Sequence, residues 1–196
     1  NPGHYALAEL ERFGILRCVI TQNVDALHEK AGTRTILEYH GNFDKLRCVS
    51  CGARFRRDEF DLEKLHQENQ LPPHCPECQG LIKSDSVAFG EPIPSAVAQQ
   101  SLEEAWKCDL MLICGTSAVV YPFANLPRIA REKTIEMGKE SGTDTHAVAQ
   151  IPAATIIEIN AEPTPLTEEK ISDYLLQGKT GEILPSIVEQ VKKIRK

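Results

Sequence analysis

The chain has 196 residues, 41% hydrophobic and 26% charged, which is enough apolar material for one domain core with room for a small second module. A formal charge of -6 excludes the basic footprint of a nucleic-acid binder, so the local cluster Arg54, Arg56 and Arg57 reads as a solvated surface. No apolar run reaches the roughly 18 residues of a membrane span, and the N-terminus lacks the basic-then-apolar order of a secretory signal; these features predict a soluble cytoplasmic protein.

The chain opens on Asn1-Pro2-Gly3 ahead of an amphipathic run from His4 to Phe13, with a helix predicted from Tyr5 to Phe13. An opening of this kind predicts a chain that begins partway through a larger protein. Cys18 to Ile20 is a short apolar run that stops at Thr21-Gln22-Asn23, the pattern of a buried parallel strand. Another short apolar segment leads to Glu38-Tyr39-His40-Gly41-Asn42. From about Lys45 to Lys83 the alternation breaks, with turns at Leu71-Pro72-Pro73 and Cys78-Gln79-Gly80, which predicts an inserted module.

Alternation then resumes. A helix is predicted over Ser95 to Trp106, a strand over Leu110 to Cys114 before Gly115-Thr116-Ser117, and a helix over Phe123 to Met137. Gly138 to Gln150 is polar and predicts a mobile surface loop. Ile156 to Ile159 reads as a strand before Asn160, and Leu184 to Ile194 as a helix. Strands alternating with helices give an α/β fold, a Rossmann-like parallel sheet flanked by helices. The predicted division is residues 1–44 with 84–196 as that domain and residues 45–83 as a zinc-ribbon module. In such sheets ligands sit beyond the carboxyl ends of the strands, where the polar tails fall.

The cysteines carry the strongest local signal. Cys48-x2-Cys51 and Cys75-x2-Cys78 are two knuckles, each able to present two thiolates from a tight turn. Four soft ligands suit one tetrahedral zinc ion, whose role in a closed site is to hold the module folded rather than to activate water. Two disulfides, four unconnected core thiols or one redox pair are the alternatives, and none of them explains both spacings. Cys18, Cys108 and Cys114 lie in or beside apolar strands and read as small core residues.

Beyond the strands, His40 taken alone reads better as a hydrogen-bonded loop histidine, and Asn23 and Asp25 could be turn-formers. Gly178-Lys179-Thr180 resembles the end of a phosphate loop, but the earlier glycine of that motif is replaced by Asp173. Read in order, however, Thr21-Gln22-Asn23-Val24-Asp25, Tyr39-His40-Gly41-Asn42, the four cysteines, Phe89-Gly90-Glu91, Gly115-Thr116-Ser117, Val120-Tyr121-Pro122, Ile159-Asn160 and Gly178 to Glu182 make the chain resemble a sirtuin, an NAD-dependent protein lysine deacylase.

The resemblance implies that His40 is the catalytic base and that Gln22, Asn23 and Asp25 surround the nicotinamide and its ribose, with Asn23 taking part in catalysis. It implies that Gly115 and Ser117 hold the adenosine side of NAD and that Asn160 holds the adenosine ribose. Val87, Phe89 and Gly90, with Val119 opposite, would bind an acylated-lysine peptide as an added strand, with Phe89 lining the acyl-lysine tunnel. The implied products are nicotinamide, free lysine and O-acyl-ADP-ribose. The implied partners are NAD, one structural zinc ion and acylated-lysine proteins, with no nucleic acid and no membrane. Ser84, Ser86, Ala88 and Ala26 depart from residues common in the family. The strand and glycine-rich phosphate loop that open the family fold are missing from this sequence. Protein ADP-ribosyl transfer at the same site and a non-catalytic zinc-stabilised binding module are the competing readings.

Overall fold

The computed structural model describes residues 1–132, 134–136, 148–150 and 152–195. In chain order the elements are α1 (Pro2–Arg12), β1 (Val19–Thr21), α2 (Leu27–Lys30), β2 (Ile36–Glu38), β3 (Gly41–Cys48), β4 (Arg54–Arg56), α3 (Leu62–Gln67), β5 (Ile82–Ser86), α4 (Ser95–Lys107) and β6 (Leu110–Cys114). They continue with α5 (Leu126–Arg131), β7 (Thr134–Glu136), β8 (Val148–Gln150), β9 (Thr155–Asn160), α6 (Pro165–Glu168), β10 (Tyr174–Gln177) and α7 (Thr180–Ile194). The chain divides into two compact units, Cys18–Ala98 and Asn1–Arg17 with Gln99–Lys196. No helix among the described residues is long and apolar enough to cross a membrane.

Within Cys18–Ala98, β1 and β2 pair in parallel with Thr21 opposite Glu38, so both strands end at the same edge. The second sheet is antiparallel, β4-β3-β5, with a register shift between Asn42 and Leu46 that bends β3 as it leaves the His40 turn. Leu46, Cys48, Cys75 and Ile82 form its buried core, with Phe55 and Phe60 packed against it and edge-to-face with each other at 5.6 Å. Gly41 cannot be another residue here. Its φ is +81°, and an added Cβ would fall 1.4 Å from the Asp85 carbonyl oxygen.

In the other unit β6, β9 and β10 form a parallel sheet with β9 at its centre, which is why Ile156 and Ile159 are fully buried. Helices α5 and α7 pack against β9, and α1 packs along α7. Helix α1 starts where it does because the Asn1 side chain accepts from the N–H groups of Gly3 at 2.9 Å and His4 at 3.3 Å, with Pro2 in the first turn. The parallel pairing and flanking helices make an α/β fold of the Rossmann-like kind expected from the alternation.

Three elements differ from expectation. The helix expected over Phe123 to Met137 is a single 3₁₀ turn at Phe123–Asn125 followed by α5, which stops at Arg131. Pro127 restarts the helix in its first turn, and the β-branched pair Thr134-Ile135 continues as β7, antiparallel to β8. The expected loop Gly138 to Gln150 therefore ends in a strand at Val148–Gln150, and its residues 138–147 lie outside the described residues. Helix α7 begins at Thr180 rather than Leu184, passing through Pro185 at the cost of one backbone bond while burying Leu184 and Val188.

Candidate active site and metal centre

The four cysteines converge. All their sulfurs lie within 4.8 Å of one another, with Cys48 Sγ 3.5 Å from Cys78 Sγ and Cys51 Sγ 3.8 Å from Cys75 Sγ. Ligands at ~2.3 Å on a tetrahedral ion stand about 3.8 Å apart, so the donor set fits zinc, while a disulfide needs ~2.05 Å. All four thiols are free. The knuckles are built by backbone. Ser50 N–H points at Cys48 Sγ and Gly80 N–H at Cys78 Sγ, each at 3.4 Å. Gly80 is required because an added Cβ would sit 2.4 Å from Ser50 Oγ. The backbone N–H groups of Cys51 and Ser50 pull the Cys48 thiol down to about 6. Cys51, although favoured as thiolate by the Ala53 N–H, is pushed up to about 12 by the neighbouring Cys78 thiol and by burial. Zinc would be held by all four as thiolates, so its binding would release their remaining protons. Cys114 is not among these four ligands, and burial pushes its thiol up to about 12.

The parallel register of β1 and β2 places Gln22-Asn23 and Tyr39-His40 just past paired strand ends, on one edge. Asn23 is exposed and its N–H bonds Thr21 Oγ1 at 3.1 Å, while Asp25 Oδ1 accepts from Leu27 N–H at 3.0 Å and so shapes the turn into α2. Ala26, one of the departures from residues common in the family, adopts φ +59°. The Phe43 N–H bonds the Val24 carbonyl at 2.9 Å, tying this turn to the strand after His40. His40 is half-buried, edge-on to Tyr39 at 5.8 Å, and its carbonyl accepts from Val87 N–H at 2.9 Å.

Beneath this edge lies a group of charges that sequence reasoning missed. Arg54, expected as a solvated surface residue, donates from Nη2 to Glu38 Oε2 at 2.6 Å and from Nε to Asp85 Oδ2 at 2.7 Å. Glu38 is 6% exposed and Asp85 1%. Lys45 Nζ reaches both Glu38 oxygens at 3.1 Å, the Asn42 amide also donates to Glu38, and Arg47 Nε lies 3.4 Å from Asp85 Oδ1. Burial works to raise the Glu38 pKa, but hydrogen bonds from Asn42, Lys45 and Arg54 hold it below its ordinary value of 4.5. Arg56 behaves as expected, pairing with exposed Asp58 at the surface. The missed signal was a carboxylate in each of two short strands, Glu38 in β2 and Asp85 in β5.

In the other unit Cys114 of β6 pairs with Ile159 of β9, so Gly115 follows the end of β6 and Asn160 is the last residue of β9, level with it. Gly115 N–H bonds the Ile159 carbonyl at 3.0 Å, and the Asn160 amide donates to the Thr116 carbonyl at 3.2 Å. Gly115 has φ +61° and Ala118 φ +51°, a sharp turn that leaves Ser117 exposed. Glu158 is fully buried and accepts from the hydroxyls of Thr164, Thr167 and Ser172, which fixes the loop after Asn160.

Val87 is half-buried and Phe89 is fully exposed; Gly90, at φ +85°, turns the chain so that Ala88 N–H meets Glu91 Oε2 at 3.1 Å. Lys83 Nζ secures this turn at Ser86 O (2.9 Å) and Glu91 Oε2 (2.5 Å). Val119 belongs to the other unit, where it is 50% exposed beside exposed Val120 and Tyr121.

Comparison with known proteins bears on these placements. The profile of the Sir2 family matches residues 1–122. An NAD-dependent protein deacylase 2 of Pyrobaculum aerophilum is 44% identical over 193 residues, 98% of this chain and 66% of the relative. An NAD-dependent protein deacylase of Pyrococcus furiosus is 41% identical across 100% of this chain and 70% of its own length, so the chain spans about two thirds of these relatives. Among solved structures, Sir2Af2 bound to a myristoylated histone peptide is 42% identical with a TM-score of 0.71, covering 100% of this chain and 73% of that one. A Sir2 homolog–NAD complex is 37% identical with a TM-score of 0.75, covering 100% and 66%.

Proposed function

This chain belongs to the Sir2 family, and from that membership we propose that it is an NAD-dependent protein lysine deacylase. The observation that carries the reading is the shared edge of β1 and β2, where Gln22, Asn23 and His40 follow strand ends held in register. The relatives that match across the whole chain carry the same activity in their names, and solved relatives hold NAD, ADP-ribose or an acylated histone peptide.

In this reading His40 is the base. Its imidazole accepts a proton from a ribose hydroxyl of NAD, which then takes the acyl group. Asn23 and Gln22 present amides to the nicotinamide end, and Asp25 borders its ribose. Gly115, Ser117 and Asn160 hold the adenosine half, the glycine by allowing close backbone approach. Val87 and Gly90 offer backbone to an extended acyl-lysine peptide, with Phe89 and Val119 flanking the acylated side chain. The acyl-lysine carbonyl oxygen bonds the ribose carbon as nicotinamide leaves, the deprotonated ribose hydroxyl adds to the acyl carbon, and water enters as free lysine departs, so the acyl group ends on ADP-ribose and the reaction is a transfer. Zinc, when bound by Cys48, Cys51, Cys75 and Cys78, supplies folding energy to residues 45–83, while residues 1–44 and 84–196 form the NAD-binding part. The free thiols support a reducing, cytoplasmic setting.

The test is nicotinamide release from NAD in the presence of acetyl-lysine and myristoyl-lysine peptides. Peptide-dependent release is expected. No release with any common acyl group overturns the reading, and label from NAD retained on protein would indicate ADP-ribosyl transfer instead.

A further inference from the structure

Arg54 stands on β4, shortly after the first cysteine knuckle, and its guanidinium joins two carboxylates that reach it from distant parts of the sequence. Glu38 is two residues before His40, and Asp85 is two residues before Val87. The backbone closes the same circuit, since His40 O accepts from Val87 N–H at 2.9 Å and Gly41 pairs with Ser86. We propose that Arg54 is a positioning residue that clamps the His40 turn to the peptide-binding strand and anchors both to the zinc knuckle. The proposal rests on the deacylase reading for what His40 and Val87 do, but the clamp itself stands on the contacts.

The physical case follows from burial. Glu38 and Asp85 are 6% and 1% exposed, so their bonds to Arg54 are made by desolvated carboxylates, and breaking such a pair costs more than breaking one at the surface. Of these two carboxylates Lys45, which also pairs with Glu29, reaches Glu38, and Arg47 reaches Asp85; among the described contacts Arg54 alone bridges the two. A planar guanidinium can donate to two carboxylates at once, whereas a lysine ammonium is a point charge on a flexible stem. Arg54→Lys therefore keeps the charge and removes the bridge. The His40 turn and the Val87 strand then share only their backbone bonds, and a displacement of about 1 Å at a catalytic group can cost on the order of 100-fold in rate.

The experiment compares the zinc-loaded wild-type protein with Arg54→Lys and with Asp85→Asn, which keeps the shape of its side chain and serves if the first variant yields little folded protein. Zinc content, kcat, peptide KM and hydrogen exchange at the Val87 amide are measured on each. The expected result is unchanged zinc, a fall in kcat on the order of 10-fold, a raised peptide KM and faster Val87 exchange. Wild-type values of peptide KM and Val87 exchange would overturn the proposal. So would a loss of apparent kcat with both unchanged, since that reports only a smaller folded fraction. If the wild-type protein fails to deacylate, the deacylase reading falls, and faster Val87 exchange in the variants still supports the clamp.

Discussion

Replacing Gly41 by alanine tests the backbone logic of the His40 turn. At φ +81° an L-residue costs roughly 1–2 kcal/mol. The new Cβ would also lie 1.4 Å from the Asp85 carbonyl oxygen and 2.6 Å from its carbon, both backbone atoms that no rotamer change can move aside. Strands β3 and β5 must part, at a further cost of about 1–3 kcal/mol by analogy with overpacked cores. The total, about 2–5 kcal/mol, is a large part of the roughly 5–15 kcal/mol that holds a typical domain together. Gly90 provides the control in the same unit, since its φ is +85° but an added Cβ would meet nothing within 4 Å. Gly90→Ala should show only the conformational cost. Urea unfolding of the three zinc-loaded proteins separates the terms. A Gly41→Ala variant within about 0.5 kcal/mol of Gly90→Ala would show that the approach to Asp85 is not close, and would refute the reasoning.

Removing zinc with a chelator should lower the thermal midpoint and expose all four thiols to a thiol reagent, because Cys48 and Cys75 are core residues of their sheet; an unchanged midpoint would contradict a folding role for the metal. The depressed Glu38 pKa has a signed consequence. Its contribution is fully present above the ordinary value of 4.5 and is lost as pH falls through the lowered folded value. Unfolding measured from pH 6 down to pH 3 should therefore show a steeper loss of stability in the wild type than in Glu38→Gln, and parallel curves would remove Glu38 from the account.

What the sequence revealed and what it concealed have physical reasons. The strands β1, β6 and β9 were legible because each is an apolar run that stops abruptly at a polar end. The cysteine site was legible because metal geometry writes itself into close spacing. Strand β10 was not, since Tyr174–Gln177 is an edge strand with little burial and no alternation. Helix α5 was overextended because apolar spacing continues past Arg131, and only the pairing of β7 with β8 tells strand from helix there. Arg54 was misread because its partners are 16 and 31 residues away, and no local pattern announces a contact made by folding. The roles proposed for His40 and for the residues beyond the strands rest on family resemblance, since a histidine in a turn is chemically ambiguous.

The most direct measurement of the central claim follows wild-type and His40→Ala proteins by mass spectrometry with NAD and an acyl-lysine peptide. The account predicts equal amounts of deacylated peptide and O-acyl-ADP-ribose from the wild type, and loss of both products in the zinc-loaded, folded variant. Deacylation that proceeds without consuming NAD, or that survives the loss of His40, would contradict it.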